Sequence, residues 1–294
     1  MSVLCPAKIN VGLKVLGRRQ DGFHNLQSIF VTVPLFDKMK VTLLKDADKG
    51  KCIVECKEME LPLENTISKA YKAFCVLTGI QSGVHVQLEK CIPAGGGLGG
   101  GSSDASSFIK SIDSLLSAHL KLSDMMQLSS FVGSDVFFFT KALEATGAYT
   151  KSDVYAAVVE GRGEKVRTIP ARKDFAVLLL MPALSVSTKE AYEALDFYKQ
   201  RFSLVSKADS FEWLLDEWKR PLGEWQMKND FTLPLCEKNE DLKKAFESLK
   251  KTGADFLDMS GSGSTFFALF DDLEKAKAAE KSLPSQYKTL VLHQ

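Results

Sequence analysis

No apolar run in this 294-residue chain is long enough to cross a bilayer. The longest lies near Phe175–Leu184, against the ~20 residues a spanning helix needs. The opening MSVLCPAKIN lacks the charged segment and apolar stretch of a secretory leader. An excess of one charge is lacking too: 38 Lys and Arg meet 37 Asp and Glu, a net +1. No global field draws the chain to nucleic acid or an anionic membrane, so neither is expected as a partner. Cysteine is sparse and unpatterned. Cys5, Cys52, Cys56, Cys75, Cys91 and Cys236 form no CxxC pair, and Cys52 and Cys56, four apart, have no neighbouring zinc ligands. Buried, reduced thiols and a reducing cytoplasm are expected. Internal repeats, low-complexity tracts and heptad runs are absent. What is present is a globular composition, 45% hydrophobic, which supplies a core for one large or two medium domains.

Polarity alternation and β-branched residues predict strands over Val3–Leu16, Leu26–Leu35, Lys40–Leu44, Lys51–Cys56 and Val84–Ile92. A helix is predicted over Asn65–Leu77, with Asn65 as cap and Ile67, Ala70, Tyr71 and Phe74 inward. Another follows Ser103, with Phe108, Ile109, Ile112, Leu115 and Leu116 at helical spacing, and a third covers Ser123–Phe131 with Ser123 as cap. Val132–Thr140 reads as a turn entering a buried strand. Beyond 141–175 the pattern changes. Strands at Phe175–Leu184, Thr265–Phe270 and Thr289–His293 alternate with helices at Lys189–Arg201, Ser210–Trp218, Asp241–Lys251 and Glu274–Leu283. That alternation predicts an α+β sandwich.

The strongest signal runs from Pro93 and Ala94 through Gly95, Gly96, Gly97, Leu98, Gly99, Gly100 and Gly101 to Ser102 and Ser103. Six glycines in seven positions remove the Cβ atoms where backbone must approach a ligand closely. Successive N–H groups, followed by a helix with its free N–H groups and positive dipole end, form a cradle for phosphate. Ser102 and Ser103 add hydroxyls for a phosphate oxygen or a metal-bound water. A dinucleotide GxGxxG motif belongs on a first strand, with an acid ~20 residues later, and several strands precede this one. A Walker A loop needs a lysine that is missing. The HRD and DFG motifs of protein kinases are missing as well. A flexible linker would not join a strand to an apolar-striped helix.

The loop resembles the phosphate loop of the GHMP kinases. Three further segments fit in order: Pro6-Ala7-Lys8-Ile9-Asn10, Asp21-Gly22-Phe23-His24-Asn25-Leu26 and Ser260-Gly261-Ser262-Gly263. The first two are similar to members that phosphorylate the 2-hydroxyl of a cytidine-diphosphate-linked methylerythritol in the non-mevalonate isoprenoid route. The resemblance implies an N-terminal ATP-binding domain of ribosomal S5 domain 2-like fold over 1–155 and a C-terminal GHMP α/β sandwich over 156–294. It implies ATP and Mg2+, with no metal ligands legible, and an acceptor carrying cytidine diphosphate. Two alternatives stand beside it. A kinase for another small alcohol, such as homoserine or mevalonate, fits the Asp21–Leu26 segment poorly. An inactive nucleotide-binding protein of the same fold fits poorly with an intact Lys8 and Asp135. Phe23 replaces the family's usual tyrosine, and 141–160 looks longer than the family's connection.

Asp135, in Gly133-Ser134-Asp135-Val136 before three phenylalanines, fits both a turn cap and a proton acceptor for the attacking hydroxyl. Lys8 lies in an otherwise apolar or small stretch, and period two puts it on one strand face with Asn10. The resemblance implies that Lys8 and Asp135 are catalytic and paired, which would keep the carboxylate ionised. Asn65 and Lys90 match positions near the family's adenine pocket, yet by themselves read equally as a helix cap and a surface charge. Phe23 and His24 follow a turn-forming segment. The resemblance places the cytidine pocket there with Asn10, and it matches Thr188 and Tyr192 to a second aromatic segment. Without the resemblance, Phe23 and Tyr192 read as core and His24 as a satisfied surface histidine.

Overall fold

β1 (Ser2–Arg18) and β2 (His24–Leu43) are long strands whose buried runs, Cys5–Leu13 and Gln27–Val33, do not alternate. Alternation appears only in the second half of β2, where Asp37, Met39 and Val41 are buried and Lys38 and Lys40 exposed. β2 runs unbroken through 36–39, where the sequence reading expects a gap between two strands, and it includes Pro34. One missing N–H donor does not end a strand whose other ladder bonds are made. The computed structural model describes residues 1–45 and 48–293. They form two units, neither continuous in sequence. The first holds Met1–Ala7, Leu35–Pro93 and Gly99–Asp153; the second holds Lys8–Pro34, Ala94–Leu98 and the chain from Val154 onward.

In the first unit follow β3 (Cys52–Cys56), α1 (Thr66–Thr78), β4 (Val84–Glu89), α2 (Gly100–Leu116), α3 (Leu122–Val132) and α4 (Val136–Thr146). β4 pairs in parallel with β3 and antiparallel with the second half of β2, Val41 opposite Val86. The helices cover these strands: Met39, Val86 and Leu88 meet Ile67, Phe74, Phe108, Ile112, Leu128 and Val136 in one core. Burying each large side chain contributes about 1.5–3 kcal/mol. α1 begins where expected. The Asn65 side chain accepts from Ser68 N at 3.0 Å, and the Ser68 hydroxyl accepts from Asn65 N at 2.9 Å. α3 starts earlier than expected, at Leu122, and Asp124 rather than Ser123 secures its first turn by accepting from Lys121 N at 2.9 Å.

The segment expected to be a buried strand after Asp135 is the helix α4. Its buried residues Val136, Phe139, Thr140 and Leu143 recur at i, i+3, i+4 and i+7, so the run of aromatics masked a helical period. Nor are all thiols buried: Cys5 and Cys236 are, while Cys91 is exposed.

In the second unit, β5 (Ala156–Gly161) pairs antiparallel with the first half of β2 and with β6 (Lys165–Ile169). Then come β7 (Ala176–Met181), α5 (Thr188–Phe202), α6 (Phe211–Lys219), α7 (Thr232–Lys238), α8 (Glu240–Lys250), β8 (Phe256–Met259), β9 (Phe266–Phe270), α9 (Leu273–Ser282) and β10 (Lys288–His293). An antiparallel sheet runs in the order β10-β7-β9-β8. β7 is buried at every position, which explains its unbroken apolar sequence. Leu178, Leu180 and Phe266 pack with Leu195 of α5, Leu235 of α7, Leu249 of α8 and Ala276 of α9. No helix among the described residues is long and apolar enough to cross a membrane.

Candidate active site

The second unit brings three of the sequence motifs together. Lys8 on β1 donates its backbone N–H to Leu98 O at 2.9 Å, tying the first motif to the glycine loop. Its side chain is 2% exposed. The ammonium donates to Asn10 Oδ1 at 2.5 Å and lies 4.9 Å from the centre of the Phe30 ring. Asn10 in turn donates to Ser28 Oγ at 3.3 Å. A buried ammonium needs such partners, and period two along β1 supplies the amide beside it, as expected.

The turn Ser260–Gly263 closes on the same loop. Ser260 Oγ donates to Gly97 O at 2.9 Å, and Thr265 N donates to Gly96 O at 3.3 Å. Gly97 has φ +77, and a Cβ there would stand 2.0 Å from Ser260 O. Only glycine permits both the backbone conformation and the approach. Asn229 holds the turn from behind, its amide donating to Met259 O at 2.7 Å and Gly261 O at 2.8 Å. The sequence reading passes over Asn229. Its one signal is the polar pair Asn229-Asp230 interrupting Met227 and Phe231, which are both buried.

In the first unit the loop continues as α2, capped by Gly99 with φ +74 and no capping side chain. The N-cap thus offers the first-turn N–H groups no side-chain acceptor, as an anion site requires. Ser103, in that turn, is fully buried, and its hydroxyl has no hydrogen-bond partner among the described residues. Asn65 caps α1, and its amide nitrogen donates to Pro62 O at 3.1 Å, which leaves it one further N–H to offer. Lys90 is no surface charge: its side chain is 9% exposed and its ammonium contacts Asp37 and Asp104. Asp135 occupies the N-cap position of α4, yet its side chain makes no capping hydrogen bond.

The segment proposed for base recognition lies in the second unit. His24 stacks on Tyr192 with ring centres 4.4 Å apart and planes 16° from parallel. Asp196, one turn beyond Tyr192 on α5, is 3.6 Å from His24 Nε2. Burial lowers the His24 pKa and the Asp196 charge only partly opposes it, so the ring favours its neutral form. Phe23 is half exposed, with the Arg162 guanidinium 3.8 Å from its ring centre. Tyr192 therefore stacks on His24, with Phe231 at its edge, 5.0 Å away. Thr188 is exposed in the first turn of α5, one helical turn before Tyr192. Arg162 carries no sequence signal beyond its place in the Gly161–Gly163 turn.

A family model for the GHMP kinases N terminal domain matches residues 65–161, and one for the GHMP kinases C terminal domain matches 196–289. The chain is 33% identical to the 4-diphosphocytidyl-2-C-methyl-D-erythritol kinase of Treponema pallidum strain Nichols, over 98% of this chain and 96% of that one. It is 32% identical to the kinase of the same name from Clostridium kluyveri strain NBRC 12016, over 99% of both. A crystal structure of 4-(cytidine 5'-diphospho)-2C-methyl-D-erythritol kinase superposes with a TM-score of 0.76 at 28% identity, covering 99% of this chain and 98% of that one. A homoserine kinase from Cytophaga hutchinsonii, at 16% identity and a TM-score of 0.60, covers 99% of this chain and 94% of that one and shares the fold. With both domain matches, relatives alike from end to end, and the first and third motifs packed on the glycine loop, the chain belongs to the GHMP kinase family.

Proposed function

We propose that this chain transfers the terminal phosphoryl group of ATP to the 2-hydroxyl of 4-diphosphocytidyl-2-C-methyl-D-erythritol, a step of non-mevalonate isoprenoid precursor synthesis. The observation that carries the reading is the likeness, over 98% of the chain, to a kinase of that name. The glycine loop from Pro93 to Ser103 would receive the ATP phosphates, its backbone N–H groups and the start of α2 supplying the positive potential. Asn65, with its remaining N–H, would meet the adenine. Lys8 would orient the acceptor hydroxyl and balance charge, and Asp135 would take its proton. Asn10 keeps the Lys8 ammonium aimed.

Phosphoryl transfer asks the protein mainly for positioning and charge neutralisation, and Mg2+ bound to the phosphates supplies part of the latter. Among the described residues no three His, Cys, Asp or Glu side chains are grouped to hold a metal ion. Mg2+ would therefore take most ligands from phosphates and water, with the unpartnered Ser103 hydroxyl as the donor that fits.

The deciding experiment measures ADP release against a panel of acceptors. Turnover is expected with the cytidine diphosphate-linked methylerythritol and not with homoserine or mevalonate. Turnover of either of the latter at a comparable kcat/KM overturns the substrate assignment.

Cytosine would stack on Phe23, on the face away from Arg162, with His24 and Tyr192 forming the adjoining wall and Thr188 near the entrance. Base stacking on an aromatic contributes about 1–3 kcal/mol. Phe23→Ala is expected to raise the acceptor KM by about ten- to a hundredfold, and Tyr192→Ala, which removes the ring stacked on His24, by a smaller factor, both leaving the ATP KM unchanged. Steady-state kinetics with each substrate varied in turn checks this, and an unchanged acceptor KM in both variants removes the pocket from this face.

A further inference from the structure

We propose that Asp37 is a positioning residue for the nucleotide: through Lys90 and Asp104 it fastens together the two backbone segments flanking the glycine loop. The inference rests on reading that loop as the phosphate site.

Asp37 sits on β2 and is completely buried. Its Oδ1 accepts the backbone N–H groups of Cys91, at 2.6 Å, and Ile92, at 2.8 Å, the residues that lead into the loop. Its Oδ2 binds the Lys90 ammonium. That ammonium also donates to Asp104 Oδ2 at 2.8 Å. Asp104 is the fifth residue of α2, the helix leading out of the loop. The chain entering the loop and the chain leaving it are thus bridged by one lysine between two carboxylates. Gly100 seats the first turn of α2 on this bridge. A Cβ there would lie 3.0 Å from Ile92 Cγ2 and 3.2 Å from Lys90 Nζ.

Two carboxyl groups share one ammonium under the start of a helix. Asp104 Oδ1 is buried with no hydrogen-bond partner among the described residues. Burying such a set costs more than apolar packing of the same volume, so fold stability alone is a poor reason for it. Burial pushes the Asp104 carboxyl up, which Lys90 opposes and Asp37 reinforces. Burial acts to lower the Lys90 pKa, but the two carboxylates outweigh it and hold the ammonium charged. What the bridge supplies is geometry. Backbone N–H groups act on phosphate only if they are held at a fixed spacing, and a loop with six glycines in seven positions has few side chains of its own to hold it.

The test compares Asp37→Asn with wild type in the full-length enzyme. The substitution keeps the size and one acceptor oxygen but presents an amide to Lys90. The ATP KM and the ADP dissociation constant from calorimetry are expected to rise at least about tenfold. The acceptor KM should stay unchanged and kcat should fall much less. Ile112→Val, a buried α2 residue remote from the loop, is the stability control: it should lower Tm and leave ADP affinity alone. If Asp37→Asn does not fold, Asp104→Asn, which still offers Lys90 an oxygen, is read in its place with a smaller rise in the same direction. An ADP affinity within about twofold of wild type, or losses in kcat and both KM values that Ile112→Val reproduces, overturns the inference. Gly101→Val is measured alongside. If it abolishes ADP binding while Asp37→Asn does not weaken it, only the positioning role fails. If neither variant weakens ADP binding, the loop is not the phosphate site and both readings fall.

Discussion

Asp135→Asn is expected to lower kcat by about two to four orders of magnitude while ATP still binds. That corresponds to about 2.7–5.4 kcal/mol of transition-state stabilisation. Asparagine keeps the shape of the side chain but cannot accept the hydroxyl proton. The side chain makes no capping hydrogen bond to α4, so the substitution does not unmake a helix cap, and far-ultraviolet circular dichroism should be unchanged. Steady-state kinetics gives kcat, and calorimetry with ADP gives the binding arm. A loose phosphoryl-transfer transition state needs little base catalysis, so a kcat within about threefold of wild type would take Asp135 out of the chemistry. Lys8→Met should cost a similar factor, since it removes the charge held by Asn10. If the two residues serve one step, the double variant falls little further than the worse single one.

Gly101→Val is expected to weaken ATP binding by at least about a hundredfold, about 2.7 kcal/mol, without loss of fold. Gly101 is the second residue of α2, and a Cβ there would meet only Thr66, 3.4 Å from its hydroxyl oxygen. The side chain therefore fits, and valine has the better helix propensity. Helical side chains point toward the N-terminus, so its methyl groups would stand over the first-turn N–H groups and exclude a phosphate. Gly97→Val is a less informative probe, because its Cβ would strike Ser260 O and break the packing of loop on turn. Calorimetry with ATP, together with a thermal melt, separates the two cases. Unchanged affinity in folded Gly101→Val places the phosphates elsewhere.

Much of this was legible in the residues themselves, for identifiable reasons. Gly95–Gly101 announced a close approach because no other residue tolerates one, and Lys8 stood out because a lysine in a buried strand must have a partner. Asn65 declared itself as a cap because it stands just before the apolar stripe that begins at Ile67. Legibility failed where local pattern is silent about tertiary partners. Phe137-Phe138-Phe139 reads as strand, and only the burial of Val136, Phe139, Thr140 and Leu143 on one side reveals the helix. Lys90 reads as a surface charge because Asp37 and Asp104 lie 53 and 14 residues away. Arg162 over Phe23 spans a much longer gap and had no sequence signal.

The contacts of β1 with the residues just before α7 bear on how the chain is made. Leu13 donates to Lys228 O at 2.9 Å and accepts from Asp230 N at 2.8 Å. Val15 N donates to the Asp230 carboxylate across 215 positions of sequence. Asp230 also receives the Lys199 ammonium at 2.9 Å and the Ser206 hydroxyl at 2.7 Å. During synthesis at the ribosome, this part of β1 emerges but has no partner for its outer edge until more than two hundred further residues have followed. Pairings of such long range form late and leave apolar strand exposed meanwhile. Nascent chains stalled before Lys228 should therefore engage chaperones through the Leu13–Val15 stretch, and release should coincide with the emergence of Asp230 from the exit tunnel.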